Sequence, residues 1–446
     1  MSSLVLEIYI DGFVDLIGYL VRDENLNCSF IYSEEYYSYG TTPISLALPL
    51  SSEPYPDQVT RNFFSNLLQE NDQLQTVIDR EGLERNDVVG ILYHLGADCP
   101  GAISCLPAGS GPLKVPGLLR EDYEPLSVTI LSEIVNRLAD RDPLPTVLRD
   151  PSPIAGVQRK IAITVLPNGQ YALPKEGRQV PTTHILKVPR RNQAREARLE
   201  FALALMAARC GMPTAIPEVV EIDGVTGILI ERFDRFIDQD GYIHRLHQED
   251  FAQALGLPAT MKYEKYGSAD RCYKSKNISR LLSKTSDPIV STFLFIRSAI
   301  FNLVVGNTDN HAKNYALLYT GGRSPSLAPF YDMVPTKLDR TVSHELSFSI
   351  GKAKLFEEIN KEDVEIFLGE FGLSGARLKR FLQSEVVDLL NNIDILSENL
   401  IRGGLKELHD LIGGNLMRIN EVMQLGLDIK VKDFYDNSGG GWSMGS

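Results

Sequence analysis

The spacing of apolar side chains changes character twice along the chain. "LVLEIYI" alternates, Asp11-Gly12 is a tight-turn pair and "FVDLIGYL" follows, so Val5–Tyr19 predicts two antiparallel strands. "TPISLALPL" (Thr42–Leu50) alternates again and reads as a further extended segment. Asn62–Asp79 sets Phe63, Phe64, Leu67, Leu68, Val77 and Ile78 at helical spacing. Asn86–Leu92 starts another helix, and Ala102–Leu106 is a short strand. Then "RDPLPTVLRDPS" (Arg141–Ser152), rich in Pro and Asp, marks a boundary.

Beyond it strands dominate. Lys160–Val165 alternates, Pro167-Asn168-Gly169 turns, Gln170–Leu173 returns, and "THILKV" (Thr183–Val188) is a third strand. Arg195–Arg209 is a helix, apolar almost all round from Phe201 to Ala208 and so expected in a core; Gly211 and Pro213 end it. Val219–Ile222 and Gly227–Arg232 form a hairpin turned at Asp223-Gly224. From Glu249 onward helical patterns dominate, including Ile289–Val305 and segments from Lys361 to Met423. Asn437–Ser446, rich in Gly and Ser and holding the sole tryptophan, Trp442, reads as a tail. The resulting expectation is an α+β chain in four parts: an N-terminal subdomain over 1–150, a small β-rich lobe over 151–235, a helical lobe over 236–436 and a tail over 437–446. A nucleotide cleft between the two lobes is a natural consequence.

Composition adjusts this picture only slightly. Lys and Arg number 45 against 58 Asp and Glu, a formal charge of −13, which argues against nucleic acid binding across the whole surface. Five cysteines without a CxxC argue against a disulfide scaffold or structural zinc and favour a reducing cytoplasm. No uninterrupted apolar run approaches the roughly 20 residues of a membrane helix. Met1–Tyr19 lacks the basic start of a secretory signal, so no membrane partner is expected.

The chemistry concentrates in "GNTDNHAKN" (Gly306–Asn314), which follows the long apolar helix. Asp309 and Asn314 form D-x-x-x-x-N, the spacing by which kinase catalytic loops aim a carboxylate at the attacking hydroxyl and an amide oxygen at a magnesium ion. Lys313 can neutralise charge on a moving phosphoryl group. Asp332, in "PFYD" 18 residues after Asn314, is a candidate second magnesium ligand, expected at the end of a strand. Lys187 lies inside an apolar strand, where a lysine needs a partner. A phosphate and a carboxylate from the next helix, Glu200 or Glu196, would serve. Ala155-Gly156-Val157-Gln158-Arg159-Lys160 is a candidate phosphate-covering loop, although it is neither GxGxxG nor a P-loop. Glu231 and Phe233 end a hairpin where a hinge would offer backbone groups to adenine. Each signal alone is weak. Their order along the chain is that of a kinase.

These segments resemble the HipA family, the serine/threonine kinase toxins of bacterial toxin–antitoxin pairs. The resemblance is carried by "SPIAGVQRK" (Ser152–Lys160), "PTTHILKVP" (Pro181–Pro189), "IERFDR" (Ile230–Arg235), "TDNHAKN" (Thr308–Asn314) and "FYDMV" (Phe330–Val334). "PISLALPL" (Pro43–Leu50), "FFSNLLQE" (Phe63–Glu70) and "GADCPGAI" (Gly96–Ile103) extend it to the N-terminal part. It implies an atypical two-lobed protein-kinase-like fold with an N-terminal β-rich subdomain and a large helical C-terminal lobe. Asp309 becomes the catalytic base, and Asn314 and Asp332 become ligands of Mg2+. The ATP site gathers Ala155 to Lys160, Lys187, Glu231, Phe233, His311, Lys313, Asn314 and Tyr331. The implied substrate is a serine of a protein such as an aminoacyl-tRNA synthetase. The implied partners are a small helix-turn-helix antitoxin, HipB-like, and operator DNA reached through it. The family usually shows Ser-x-Ala-Gly at the phosphate loop, and that serine can be autophosphorylated. Here Pro153 stands in its place and Ser152 one residue earlier, so Ser152 is the candidate for that modification. Two other readings stay open: a non-catalytic co-repressor that binds the antitoxin, and a kinase for a small molecule.

Overall fold

The alternating start of the chain builds a four-stranded antiparallel sheet in the computed structural model, which describes residues 3–11, 16–40, 42–68, 72–142, 144, 160–268, 270–321 and 324–429. The strands are β1 (Leu4–Ile10), β2 (Gly18–Arg22), β3 (Cys28–Tyr32) and β4 (Ile103–Pro107), ordered β3-β2-β1-β4. The register sets Leu6 beside Leu20 and Leu20 beside Phe30. These side chains bury a common face with Phe63, Phe64, Ile91 and Leu92. Helices α1 (Glu34–Tyr39), α2 (Asp57–Ser65), α3 (Asp72–Glu81) and α4 (Val88–Leu95) lie between β3 and β4 in the chain.

Two expectations change here. The helix expected over 62–79 divides into α2 and α3. Asn66 stops α2: its Nδ2 donates to the carbonyls of Asn62 and Leu257, which competes with continuing the helix. Thr42–Leu50 is not a strand. It is a buried turn segment with a single bridge, Ser45 to Leu48. Side chains replace a sheet neighbour. The Tyr32 hydroxyl donates to the Leu48 carbonyl (2.5 Å) and accepts from the Ile44 N–H (3.0 Å). Glu249 accepts from Ser45 Oγ (2.6 Å) and the Leu46 N–H (2.9 Å).

A six-stranded sheet follows, ordered β10-β11-β9-β7-β8-β6. Its strands are β6 (Tyr123–Pro125), β7 (Lys160–Val165), β8 (Tyr171–Pro174), β9 (His184–Lys187), β10 (Glu218–Ile222) and β11 (Val225–Glu231). Helix α5 (Val128–Asp140), capped by Ser127, packs Ile134, Val135 and Leu138 against Ile163, Leu186 and Leu229. Three short strands, β5 (Gly117–Leu118), β12 (Arg235–Ile237) and β13 (Tyr242–Arg245), form a sheet in the order β12-β13-β5. Another holds β14 (His247–Asp250), β15 (Ala316–Tyr319) and β16 (Ser326–Leu327). Helical dominance from Glu249 onward is thus interrupted by strands. β15 is four buried residues, "ALLY", too short a run for periodicity to separate strand from helix. The strands described, apart from Leu327 at the end of β16, belong to one compact unit, Met1–Ala197 with Pro217–Ala259 and Ala316–Ser326. α6 (Ala194–Arg209) starts in it, and α7 (Phe251–Ala254) lies in it behind a reciprocal Asp250–Gln253 capping box.

The second unit holds Arg198–Ile216, Thr260–Tyr315 and Leu327–Ser446. Its helices are α8 (Ser275–Leu282), α9 (Pro288–Val305), α10 (Lys361–Glu370), α11 (Gly375–Phe381), α12 (Val387–Arg402) and α13 (Lys406–Met423). α9 has a clean start and stop. Asp287 caps it, Pro288 opens it, and Gly306 closes it in the left-handed region at φ 74°. By length and composition α9 is apolar enough to cross a membrane. However, Phe295, Ile296, Ala299, Ile300, Phe301 and Leu303–Val305 are buried within the protein, as in a core helix. α13 packs along it, and Asn415 Nδ2 donates to the Val304 carbonyl (3.0 Å) at its C-terminal end. Phe295, Tyr315, Phe348, Phe367 and Phe371 form an aromatic cluster under the segment that follows α9.

Candidate active site

The loop Gly306–Asn314 takes its shape from a buried polar network at the end of α9. Asn307 Nδ2 donates to Asn302 Oδ1 (3.0 Å), and Asn307 Oδ1 accepts the Asp309 N–H (3.1 Å). Asn302 and Asn310 both donate to the Tyr315 hydroxyl (3.3 and 3.4 Å). The far side is held by Thr336 and Ser347. Thr336 Oγ1 accepts the Thr308 N–H (2.8 Å), and Ser347 Oγ donates to the Thr308 carbonyl (2.8 Å). The Ala312 N–H donates to the Lys262 carbonyl (3.0 Å). Gly306 lies where a Cβ would meet Leu411 Cδ2 at 2.8 Å.

On this frame Asp309 is half-buried. Its carbonyl accepts from Asn314 Nδ2 (2.8 Å), and its Oδ1 accepts from the Tyr263 hydroxyl (2.5 Å). The bond through Nδ2 fixes the Asn314 amide, so Oδ1 is its remaining donor to a cation. Asn314, Tyr331 and Asp332 line one small cleft together with Asn302, Asn307 and Asn310. Tyr331 is tied to the loop by its hydroxyl, which donates to the Lys313 carbonyl (2.9 Å). Asp332 sits at φ 57°, a left-handed conformation uncommon outside glycine and more frequent at functional sites. The strand expected to lead into it is reduced to one parallel bridge, Phe330 to Thr214. An amide oxygen and a carboxylate on one cleft are hard oxygen donors of the kind magnesium takes.

Burial lowers the pKa of His311, and Lys262 adds to this against the upward pull of Asp309 and Asp332. Burial thus favours the neutral imidazole. Its Nδ1 is buried with no hydrogen-bond partner among the described residues, the kind of orphan that a ligand or ordered water satisfies. So Asp309, His311, Lys313, Asn314, Tyr331 and Asp332 all fall in one neighbourhood of the second unit.

A separate set lies in the first unit. Lys187 is on β9, an interior strand between β7 and β11, and it is buried. The register makes Lys160 its direct partner across β7 and β9. Paired positions share a face with Cβ atoms about 4.5–5.5 Å apart, where like charges repel. Two lysines on one face of a sheet are the charge type that phosphate takes. Glu231 is exposed at the end of β11, paired with His184 of β9. The turn after it, with Phe233, is clamped. Arg232 and Arg235 both bind Asp234, and the Arg232 N–H donates to the Thr183 carbonyl. Burial pushes the Asp234 carboxyl up, but the two guanidiniums outweigh it and hold it at about 2.

Glu200 is buried on α6, whereas Glu196 is half-buried. Ser152, Ala155, Gly156, Val157, Gln158 and Arg159 lie outside the described residues, as do Trp442 and the tail. The sequence reading missed Tyr263, Asn302, Asn307, Tyr315, Thr336 and Ser347. Only Asn307 and Tyr315 had a signal, as polar or aromatic residues touching the motif. The others are recruited by packing from positions 4 to 43 residues outside Gly306–Asn314.

The HipA N-terminal domain profile matches residues 6–106, and the HipA-like C-terminal domain profile matches residues 152–390. The "Putative kinase Y4mE" of Sinorhizobium fredii is 33% identical over 390 residues, covering 87% of this chain and 90% of that protein. The "Serine/threonine-protein kinase toxin HipA" of Shewanella oneidensis is 27% identical over 362 residues, covering 78% and 79%. The solved Shewanella oneidensis HipA, in complex with HipB and operator DNA, superposes with a TM-score of 0.76 at 23% identity, over 95% of this chain and 100% of that one. That likeness establishes the kinase-like α+β fold. With both domain profiles matched and the first of these relatives aligned over most of its length, the chain belongs to the HipA family and is a HipA-like serine/threonine-protein kinase.

Proposed function

We propose that this kinase is the toxin of a toxin–antitoxin pair. It transfers the γ-phosphoryl group of ATP to a serine of a protein substrate, such as an aminoacyl-tRNA synthetase, and so arrests growth. The observation that carries the catalytic reading is that Asn314, locked by its amide to the Asp309 carbonyl, shares one cleft with Asp332. Asp309 then orients the serine hydroxyl and takes its proton as the oxygen attacks. Asn314 and Asp332 are the residues that hold Mg2+, which when bound neutralises charge on the phosphoryl oxygens. Lys160 and Lys187 hold phosphate charge, and Lys313 offsets charge on the group in transit. Glu231 and Phe233 offer backbone groups to adenine, and His311 and Tyr331 border the nucleotide. Ala155 to Arg159 cover the phosphates, with Ser152 as the autophosphorylation site.

A small helix-turn-helix antitoxin is the proposed partner, with operator DNA reached through it. Support comes from the Shewanella oneidensis relative, solved with HipB and operator DNA. Replacing Asp309 by Ala tests the reading. ATP turnover falls about 100-fold or more, and expression without antitoxin no longer arrests growth. Full toxicity of that variant excludes the catalytic role.

A further inference from the structure

The catalytic loop is touched by a segment that the kinase motifs do not include, 259–267, "ATMKYEKYG". It consists of two single turns, Ala259–Met261 and Glu264–Tyr266, with Tyr263 extended between them (φ −108°, ψ 146°). Its neighbours staple it to the site. The Lys262 carbonyl accepts the Ala312 N–H (3.0 Å), and the Glu264 N–H donates to the Ser347 carbonyl (2.9 Å). The same Ser347 donates its hydroxyl to the Thr308 carbonyl. Glu264 Oε2 accepts the Ser349 N–H. The Tyr263 ring stands edge-on to His311 (centroids 5.2 Å, 89°), with the Lys265 ammonium 5.8 Å from its centre. Lys265 is itself paired with Glu345 (3.0 Å).

The phenol set by these contacts donates to Asp309 Oδ1 at 2.5 Å. A carboxylate on a free side chain rotates about its last bond. A donor on one oxygen stops that rotation and leaves the other oxygen to face the reacting hydroxyl. Two arrangements fit a tyrosine hydroxyl on such a carboxylate. A displaceable side chain would block it, and a fixed one would aim it. Staples on both sides of Tyr263 favour the fixed one. Resting on the reading of Asp309 as base, we propose that Tyr263 is a positioning residue that orients the Asp309 carboxylate for phosphoryl transfer. Holding one oxygen on the attack line is worth rate because misplacement by about 1 Å costs about 100-fold.

The test is steady-state turnover of magnesium ATP by the full chain, with water as the acceptor in place of the protein serine and read as ADP formation, for wild type, Y263F, D309N and the double variant. Y263F removes one oxygen atom and keeps the ring against His311. The expected result is a kcat lowered roughly 10-fold in Y263F with the KM for ATP within about twofold and an unchanged melting temperature. In the D309N background Y263F then costs less than twofold, because the residue acts only through that carboxylate. An unchanged or raised kcat in Y263F overturns the proposal, a rise showing that the hydroxyl blocks the base. Equal losses in both backgrounds also overturn it, showing a structural role. If D309N itself retains full turnover, the reading of Asp309 fails, and this inference falls with it for a separate, identifiable reason.

Discussion

Backbone conformation at single residues sets much of this site. Gly306 and Asp332 both hold positive φ, at 74° and 57°. Gly306 does so where its carbonyl accepts from the Lys337 N–H and the Thr336 hydroxyl, so its conformation fixes the start of the loop. An alanine there takes on left-handed strain of about 1–2 kcal/mol, and its Cβ presses on Leu411 Cδ2. With a clash of roughly 1–3 kcal/mol added, Gly306→Ala lowers both the denaturant midpoint and ATP turnover. An unshifted midpoint would show that the loop accepts an L side chain. At this scale the sequence exposed Asp309 and Asn314, because their spacing is local. It could not expose Tyr263, whose link to Asp309 spans 46 residues and exists only after the chain has packed.

Among the elements, those with a strong local period were legible. β7 has the bounds expected of it, and α9 was legible to within a residue because its cap, opening proline and closing glycine are all explicit. Thr42–Leu50 was misread as extended because its alternation is real but its partners are side chains from β3 and β14. α5 is absent from the expectations, although Ser127 followed by Ile130, Leu131, Ile134, Val135 and Leu138 is an ordinary helix signal.

The pin on Thr42–Leu50 carries a pH dependence. Burial raises the Glu249 carboxyl to about 7, against the lowering effect of its bonds to Ser45, Tyr319 and Leu46, and Asp250 adds a small upward push. Unfolded, the group titrates near 4.5. The folded state thus holds the extra proton between the two values. The stability this gives is fully present below about 4.5 and is lost as pH rises through about 7. His247, whose Nε2 lies 2.9 Å from the Ile44 carbonyl, works the other way. Burial lowers it to about 4, so its contribution is lost as pH falls. Glu249→Gln isolates the carboxyl. Urea unfolding at pH 5 and pH 8 should show wild type losing stability relative to the variant at the higher pH. A constant difference between the two proteins would mean that the carboxyl does not titrate in this range.

For the whole molecule, charge is the property to test. A chain of net −13 gains little from phosphate contacts with DNA. If the proposed antitoxin supplies the positive charge, the chain alone leaves labelled operator DNA unretarded at about 150 mM salt, and the chain with antitoxin gives a slower species than antitoxin alone. Gel mobility measures this, and tight operator binding by the isolated chain would contradict it. The sequence by itself exposed the resemblance to the HipA family, the order of the kinase-like segments, and Asp309, Asn314 and Lys187 as candidates. The resemblance lies in short motifs and the candidates in fixed spacing and local period, which the covalent chain carries. Only tertiary structure decided that Lys160 faces Lys187, that Asp332 adopts a left-handed conformation beside Asn314, and that a tyrosine from a distant turn holds the Asp309 carboxylate. Strand register and cross-chain hydrogen bonds come from how the whole core packs, and that information is spread over residues far apart in sequence.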